Sequence, residues 1–244
     1  MRLSLFVSQA LCMVGLGLMS SLHLASADES PPAAVSPTHA THADFKKEKA
    51  STETRQTAHW IVDSGDNQHM PFAIVDKVNA RVFVFDASGQ LRGAAAVLLG
   101  LARGDDSTPG IGQRRLSTIR PEERTTPAGR FVASLDHDPH GVEMLWVDYD
   151  AAISLHRVVT ANASERRAQR LASVTADDNR ISYGRINVPV NFYDKVVSPA
   201  FTGTNGVVYI LPETRTAREV FKSYDVDAPA SGRLAAQAAP AGVH

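Results

Sequence analysis

Asp136-His137-Asp138-Pro139-His140 packs two histidines and two carboxylates into one short stretch. Those are side chains that hold zinc or another divalent metal. The plainer reading is a polar loop between strands, broken by Pro139, and no metal is expected. His39 and His42 lie three apart in a Pro/Ala-rich stretch, where a metal would first have to order the chain. Gly110-Ile111-Gly112 matches part of a dinucleotide loop, but Gln113-Arg114-Arg115 follows without a strand-to-helix context. No metal or organic cofactor is therefore implied. Arg103-Gly104-Asp105 is an adhesion tripeptide in other settings and reads here as a loop. Arg114, Arg115, Arg120 and Arg124 form a basic stretch, either a solvated loop or an attractor of acidic glycan or peptide groups. The single cysteine is Cys12, so neither an intrachain disulfide nor a cysteine-based metal site is available.

The elements that must position any site are mostly strands. Phe72 to Asp76 and Arg81 to Phe85 read as a pair, with the valines of the second on one face and Phe83 and Phe85 on the other. Lys77 to Ala80 turn between them. Asp86-Ala87-Ser88-Gly89 is a turn, and Leu91 to Leu99 reads as a third strand. Met144 to Tyr149, Ala152 to His156 and Gly206 to Leu211 complete the strand set. Ser164 to Ala172 is helix-like and basic, and Pro189 opens a helix running to Val197. The expected fold class is mainly β with short helices, laid out as two packed sheets.

The chain has 244 residues, 43% apolar, with 25 Lys+Arg against 26 Asp+Glu. That near-neutral balance carries no electrostatic footprint for nucleic acid. Met1-Arg2, the apolar run Leu3 to Met19 and then Ala25-Ser26-Ala27 have the layout of a secretory signal peptide, residues 1–27. An uncleaved anchor is the rival, although Ser8, Gln9, Gly15 and Gly17 make a poor span. Cleavage removes Cys12 and leaves no thiol and no stable membrane association. Residues 28–57 read as a disordered linker, 58–222 as one domain, and 223–244 as a disordered tail.

Four segments, in order, carry a resemblance. They are Asn79-Ala80-Arg81-Val82-Phe83-Val84-Phe85, Thr126-Pro127-Ala128-Gly129-Arg130-Phe131, Ile153-Ser154-Leu155-His156 and Ser182-Tyr183-Gly184-Arg185-Ile186-Asn187. Together they resemble the YkuD-type L,D-transpeptidase catalytic domain, over about Pro71 to Pro212. The resemblance implies a β-sandwich-like fold in the periplasm or cell envelope, with peptidoglycan stem peptides as partners. It also implies acyl transfer: a cysteine attacks a stem peptide bond, and the acyl group passes to another stem or to water. His156 takes the place of the histidine that activates the thiol. Backbone N–H groups around Gly184 stand where an oxyanion would be held, and Ser182, Tyr183, Gly184 and Asn187 stand in the substrate-binding loop.

The nucleophile position holds Arg185 instead of cysteine. Asn187 stands where the family pattern has arginine, and Arg157 where it has glycine. A guanidinium stays protonated and has no lone pair for attack, and beside it His156 is pushed towards its neutral form. Asn187 is expected to hold a substrate carbonyl or carboxylate as a weaker neutral donor. Ser182 is the nearest hydroxyl, and its plainer role is to bond its own loop. Two readings follow. The chain is a catalytically impaired transpeptidase-family protein or wall-binding module, or it is an active lineage whose copy carries a point substitution. Residues Arg124 to Phe131 read as a motif segment or as part of a lid.

Overall fold

The computed structural model describes residues 41–229. The signal-peptide reading, Cys12, His39, residues 28–40 and residues 230–244 lie outside them. Among the described residues no helix is long and apolar enough to cross a membrane.

The first strands form where the apolar alternation is strongest. β1 (Phe72–Asp76) pairs antiparallel with β2 (Arg81–Phe85), which pairs with β3 (Leu91–Ala96). The expected third strand is broken: Val97 and Leu98 leave it, and β4 (Leu99–Gly100) pairs elsewhere. β5 (Gly129–His137), β6 (Glu143–Asp148) and β7 (Ile153–Arg157) make a meander. β8 (Arg180–Ser182) runs parallel to β4, β9 (Ile186–Val188) parallel to β7, and β10 (Gly206–Ile210) between β1 and β5. The large sheet has the order β3-β2-β1-β10-β5-β6-β7-β9. Its two ends meet through Leu98 and Asn187, which exchange backbone hydrogen bonds of 2.8 and 2.9 Å. The sheet is thus curled into a nearly closed, sandwich-like wrap, with no open edge at that seam.

Period-two alternation sends side chains to both faces of this wrap. Ala73, Val75, Val82 and Val84 meet Leu145, Leu155, Ile186 and Val188 inside it. Phe72, Ile74, Phe83, Phe85 and Tyr209 point the other way. That second face is covered by α1 (Thr52–Ser64), α5 (Ala217–Phe221) and flanking chain, with Trp60 and Phe221 stacked at 6.3 Å. Inside the wrap lies a continuous helical stretch, α3 (Val190–Phe192), a wide π turn (Tyr193–Val197) and α4 (Ser198–Phe201). Pro199 cannot donate an amide hydrogen four residues back, and the widened turn absorbs that break.

The expected boundaries move outward at both ends. Ala43 and Phe45 are buried, and α1 begins at Thr52 with Ser51 as its cap, inside the stretch read as linker. Its buried face is Thr54, Thr57, Ala58, Trp60 and Ile61, too rich in threonine and alanine to show as an apolar stripe. Tyr224 and Val226, read as tail, are buried against the same face, and the Tyr224 hydroxyl donates to Asp63 at 2.8 Å. The helix opened by Pro189 runs on to Phe201. The basic helix-like stretch is a turn of 3-10 helix at Ala163–Glu165 followed by α2 (Arg167–Ala172).

Candidate functional site

His156 is the penultimate residue of β7, and parallel pairing with β9 sets it opposite Asn187. The turn between β8 and β9 presents Tyr183 and Arg185 beside them. These residues line one cavity of about 280 Å³, walled by Leu116, Val159 and Ala161 and by Glu165 and Arg167 from the α2 region. The structure therefore brings together His156, Ser182, Tyr183, Arg185 and Asn187. Their partners in the fold decide what each does.

Ser182 is buried, and its hydroxyl donates to the Arg185 carbonyl at 2.6 Å while accepting from the Gly184 N–H at 3.1 Å. It ties the turn, as the plainer reading has it. The same bond occupies the Gly184 N–H, so that group is not an oxyanion donor. Gly184 has φ +114°, and a Cβ there would lie 2.7 Å from the Thr125 carbonyl oxygen. Its own carbonyl accepts from the Thr126 hydroxyl at 2.8 Å, and that hydroxyl accepts from the Gly100 N–H at 2.8 Å. A Cβ on Gly100 would lie 2.2 Å from the Arg124 carbonyl oxygen. The Thr125-Thr126 segment is thus clasped between two glycines and fully buried at Thr126. It is not a lid, because Gly129 to Phe131 continue into β5 inside the large sheet. Gly184→Ala is expected to destabilise the fold by about 1–3 kcal/mol, from left-handed strain and the close carbonyl. Urea unfolding checks it, and a change below about half a kcal/mol contradicts it.

Asn187 is 1% exposed. Its Nδ2 donates to the Arg185 carbonyl at 3.2 Å, and its Oδ1 accepts from Arg167 Nη1 at 2.7 Å. One of the two N–H groups of the expected substrate donor is therefore taken by the protein, and its oxygen is taken by Arg167. What Asn187 does is hold a guanidinium, from α2, at the pocket wall. Arg167 escaped the sequence reading because only the fold brings α2 to β9. Tyr183 has the Arg124 guanidinium 3.9 Å over its ring centre, a cation–π contact. Arg157 does not disturb the turn after β7. Its side chain reaches the Glu143 carbonyl at 3.0 Å and Asp194 at 2.7 Å, and lies over the Tyr193 ring.

The Arg185 side chain makes one hydrogen bond among the described residues, Nε to the Ala152 carbonyl at 3.4 Å. His156 Nδ1 lies 2.8 Å from the Arg157 carbonyl. A carbonyl only accepts, so Nδ1 carries the hydrogen and Nε2 is the basic nitrogen. Burial lowers the His156 pKa to about 4, with Arg185 and Arg167 adding to the fall and the Arg157 carbonyl and Asp138 opposing it. Neutral imidazole is the resting form. Between pH 6.5 and about 4 the unfolded chain takes up a proton at this residue that the folded chain refuses, so stability falls as pH falls through that window. An imidazole NMR titration is expected to place His156 near 4. A midpoint at or above 6.5 contradicts the placement.

The remaining candidates disperse. Asp136 and His137 end β5, and Asp138 accepts from the His140 and Val142 N–H groups of its own hairpin. His42 pairs with Asp227 at 2.9 Å. Gly110 precedes a 3-10 turn, Ile111–Gln113, that contains Gly112. Arg114 grips Glu123 with both terminal nitrogens, Arg120 also contacts Glu123, and Arg124 donates to the Ile119 carbonyl. Most of the basic stretch is therefore satisfied within its own loop. Asp105 of the tripeptide is buried and paired with Lys77 at 2.8 Å.

No family model and no curated protein matches the chain. Three solved structures are similar to part of it. The Ldtfm–avibactam carbamoyl enzyme shares 14% identity over 59% of this chain and 49% of that one, with a TM-score of 0.35. The catalytic domain of an L,D-transpeptidase from E. faecium shares 15% over 59% and 98%, TM-score 0.35. An L,D-transpeptidase from Xylanimonas cellulosilytica shares 12% over 58% and 60%, TM-score 0.36. The match spans about half the length of the first of these. At such scores the likeness assigns neither family nor activity, and the functional reading rests on the pocket.

Proposed function

We propose that this chain is an exported protein of the L,D-transpeptidase family that binds peptidoglycan stem peptides and has lost acyl transfer, a pseudoenzyme of the cell envelope. One observation carries the reading. His156 and the Ser182-to-Asn187 turn, which the motif resemblance picks out far apart in sequence, line one cavity with Arg185 in its wall, and the buried Thr126 hydroxyl braces that turn through the Gly184 carbonyl. The nucleophile position is then occupied by a group that cannot attack, while the cavity remains open to a ligand. A guanidinium without an ion-pair partner suits the carboxylates of stem peptides.

The second reading, an active lineage with one substituted residue, is favoured by the state of the scaffold. The Thr126–Gly184 clasp and the pinned His156 are built as though something still depended on them. Incubating the wild-type chain with a stem tetrapeptide and an acceptor stem separates binding from turnover. The expected result is peptide retained by the protein, with no released alanine and no cross-linked product by mass spectrometry. Product formation overturns the loss of chemistry, and absence of retention overturns the binding.

A further inference from the structure

The motif pattern gives Arg167 no role, yet it is the best-anchored cation of the cavity. Nη1 donates to Asn187 Oδ1 at 2.7 Å, Nε donates to Glu165, and the side chain is 14% exposed. Two fixed N–H directions hold the whole guanidinium plane, because the fork is rigid. Asn187 is itself immobile, with its backbone bonded to Leu98 and its amide to the Arg185 carbonyl. Arg185 is the opposite case. It forms no ion pair among the described residues, and its one hydrogen bond is long. Two guanidiniums thus face one cavity that contains one carboxylate, Glu165, and a neutral His156. The walls beside them, Leu116, Val159 and Ala161, are apolar and offer no competing charge to a bound anion.

We propose that Arg167 and Arg185 form a carboxylate clamp, Arg167 the fixed prong and Arg185 the adaptable one, so that the cavity selects ligands with a free carboxylate over their neutral amides. The clamp deepens the stem-peptide reading and rests on it for the site of binding. Glu165 is the built-in competitor: it already occupies one edge of Arg167, so a ligand carboxylate gains only what Glu165 leaves.

The test uses acetyl-alanyl-alanine and its C-terminal amide, which differ only in the terminal charge, titrated into the wild-type chain by NMR. The acid is expected to bind at least roughly tenfold tighter than the amide, the worth of a charge-assisted pair of hydrogen bonds. Arg167→Gln and Arg185→Gln each remove most of that preference and leave the amide unchanged. Arg167→Lys keeps the charge, loses the fork and keeps part of it. Glu165→Gln moves the other way and tightens the acid, so it decides the matter even if Arg167→Gln fails to fold. Equal binding of acid and amide, or a preference indifferent to Arg167 and Glu165, overturns the clamp. Stem tetrapeptide bound without acid preference sinks the clamp and spares the stem-peptide reading. Acid preference without stem-peptide binding does the reverse, and no binding of any of the three sinks both.

Discussion

Replacing Arg185 with cysteine is expected to produce a protein that a carbapenem acylates one-to-one, while the wild-type sequence from residue 28 onward stays unmodified. The wild-type segment contains no thiol, because Cys12 precedes it. In the variant the new thiol sits on a turn held by Ser182, Gly184 and Thr126. Arg167 remains in the cavity wall, and a cation beside a thiol lowers its pKa below the free value of about 8.5. Losing the Arg185 charge also raises the His156 pKa, while burial still keeps it under 6.5. A neutral imidazole able to accept the thiol proton is therefore present at pH 7. The thiolate sulfur attacks the lactam carbonyl, the ring C–N bond breaks, and the nitrogen leaves with a proton, so the adduct mass is the sum of the two partners. Intact-mass spectrometry reads this directly. A folded variant without the mass shift would mean the cavity has lost its reacting geometry.

Removing Lys77 is expected to be the most damaging single change to stability. Lys77, Asp105 and Glu213 have side chains 0 to 2% exposed, and Arg180 is 7% exposed. Lys77 Nζ donates to Asp105 at 2.8 Å and to the Thr126 carbonyl at 3.1 Å. Arg180 donates to Glu213 at 2.6 Å and to the Lys77 carbonyl at 2.9 Å. The two buried cations match the two buried carboxylates, and the more exposed Arg103 and Arg215 reach Glu213 and Asp105 from outside. Burial raises the Asp105 pKa, but Lys77, Thr214 and the backbone N–H groups of Glu213 and Thr214 outweigh it and hold the carboxyl well below the usual range. Lys77→Met keeps the length of the side chain and takes from the buried Asp105 its ammonium partner, leaving Thr214, three backbone N–H groups and the half-exposed Arg215 to hold it; breaking such a buried pair costs about 3–5 kcal/mol. Urea unfolding measures it, and a loss under about 1 kcal/mol contradicts the account. The damage should reach the site, because Arg180 starts β8 two residues before Ser182 and the Thr126 carbonyl lies under Lys77.

β2 was legible because valine and phenylalanine alternate from Val82 to Phe85, and β1 because it is a short apolar run ending at a turn. β5 was not, because it opens on Gly129 and its outward positions, Arg130, Val132, Ser134 and Asp136, mix charged, apolar and small polar residues. The β4–β8 pair is two to three residues long and has no pattern to read. At the site, residue types along the motif pointed to the cavity, but the chemistry of each depended on partners distant in sequence. Asn187 looked like a ligand donor, whereas in the fold its amide donates to the Arg185 carbonyl and accepts from Arg167. Gly184 looked like an oxyanion donor until Ser182 filled its N–H. Lys77 and Asp105 read as turn and loop, since nothing local shows that two charges will be buried together. Local pattern reports which face a residue takes, and polar partnerships are decided by the closure of the sheet.

The central claim is a cavity that binds stem peptide at His156 and Arg185 without turning it over. Following the His156 imidazole and Arg185 Nε–H resonances of the wild-type chain during addition of a stem tetrapeptide tests it most directly. The account predicts saturable shifts at both residues, with the peptide recovered intact. Unmoved resonances at saturating peptide, or released alanine in the sample, would contradict it.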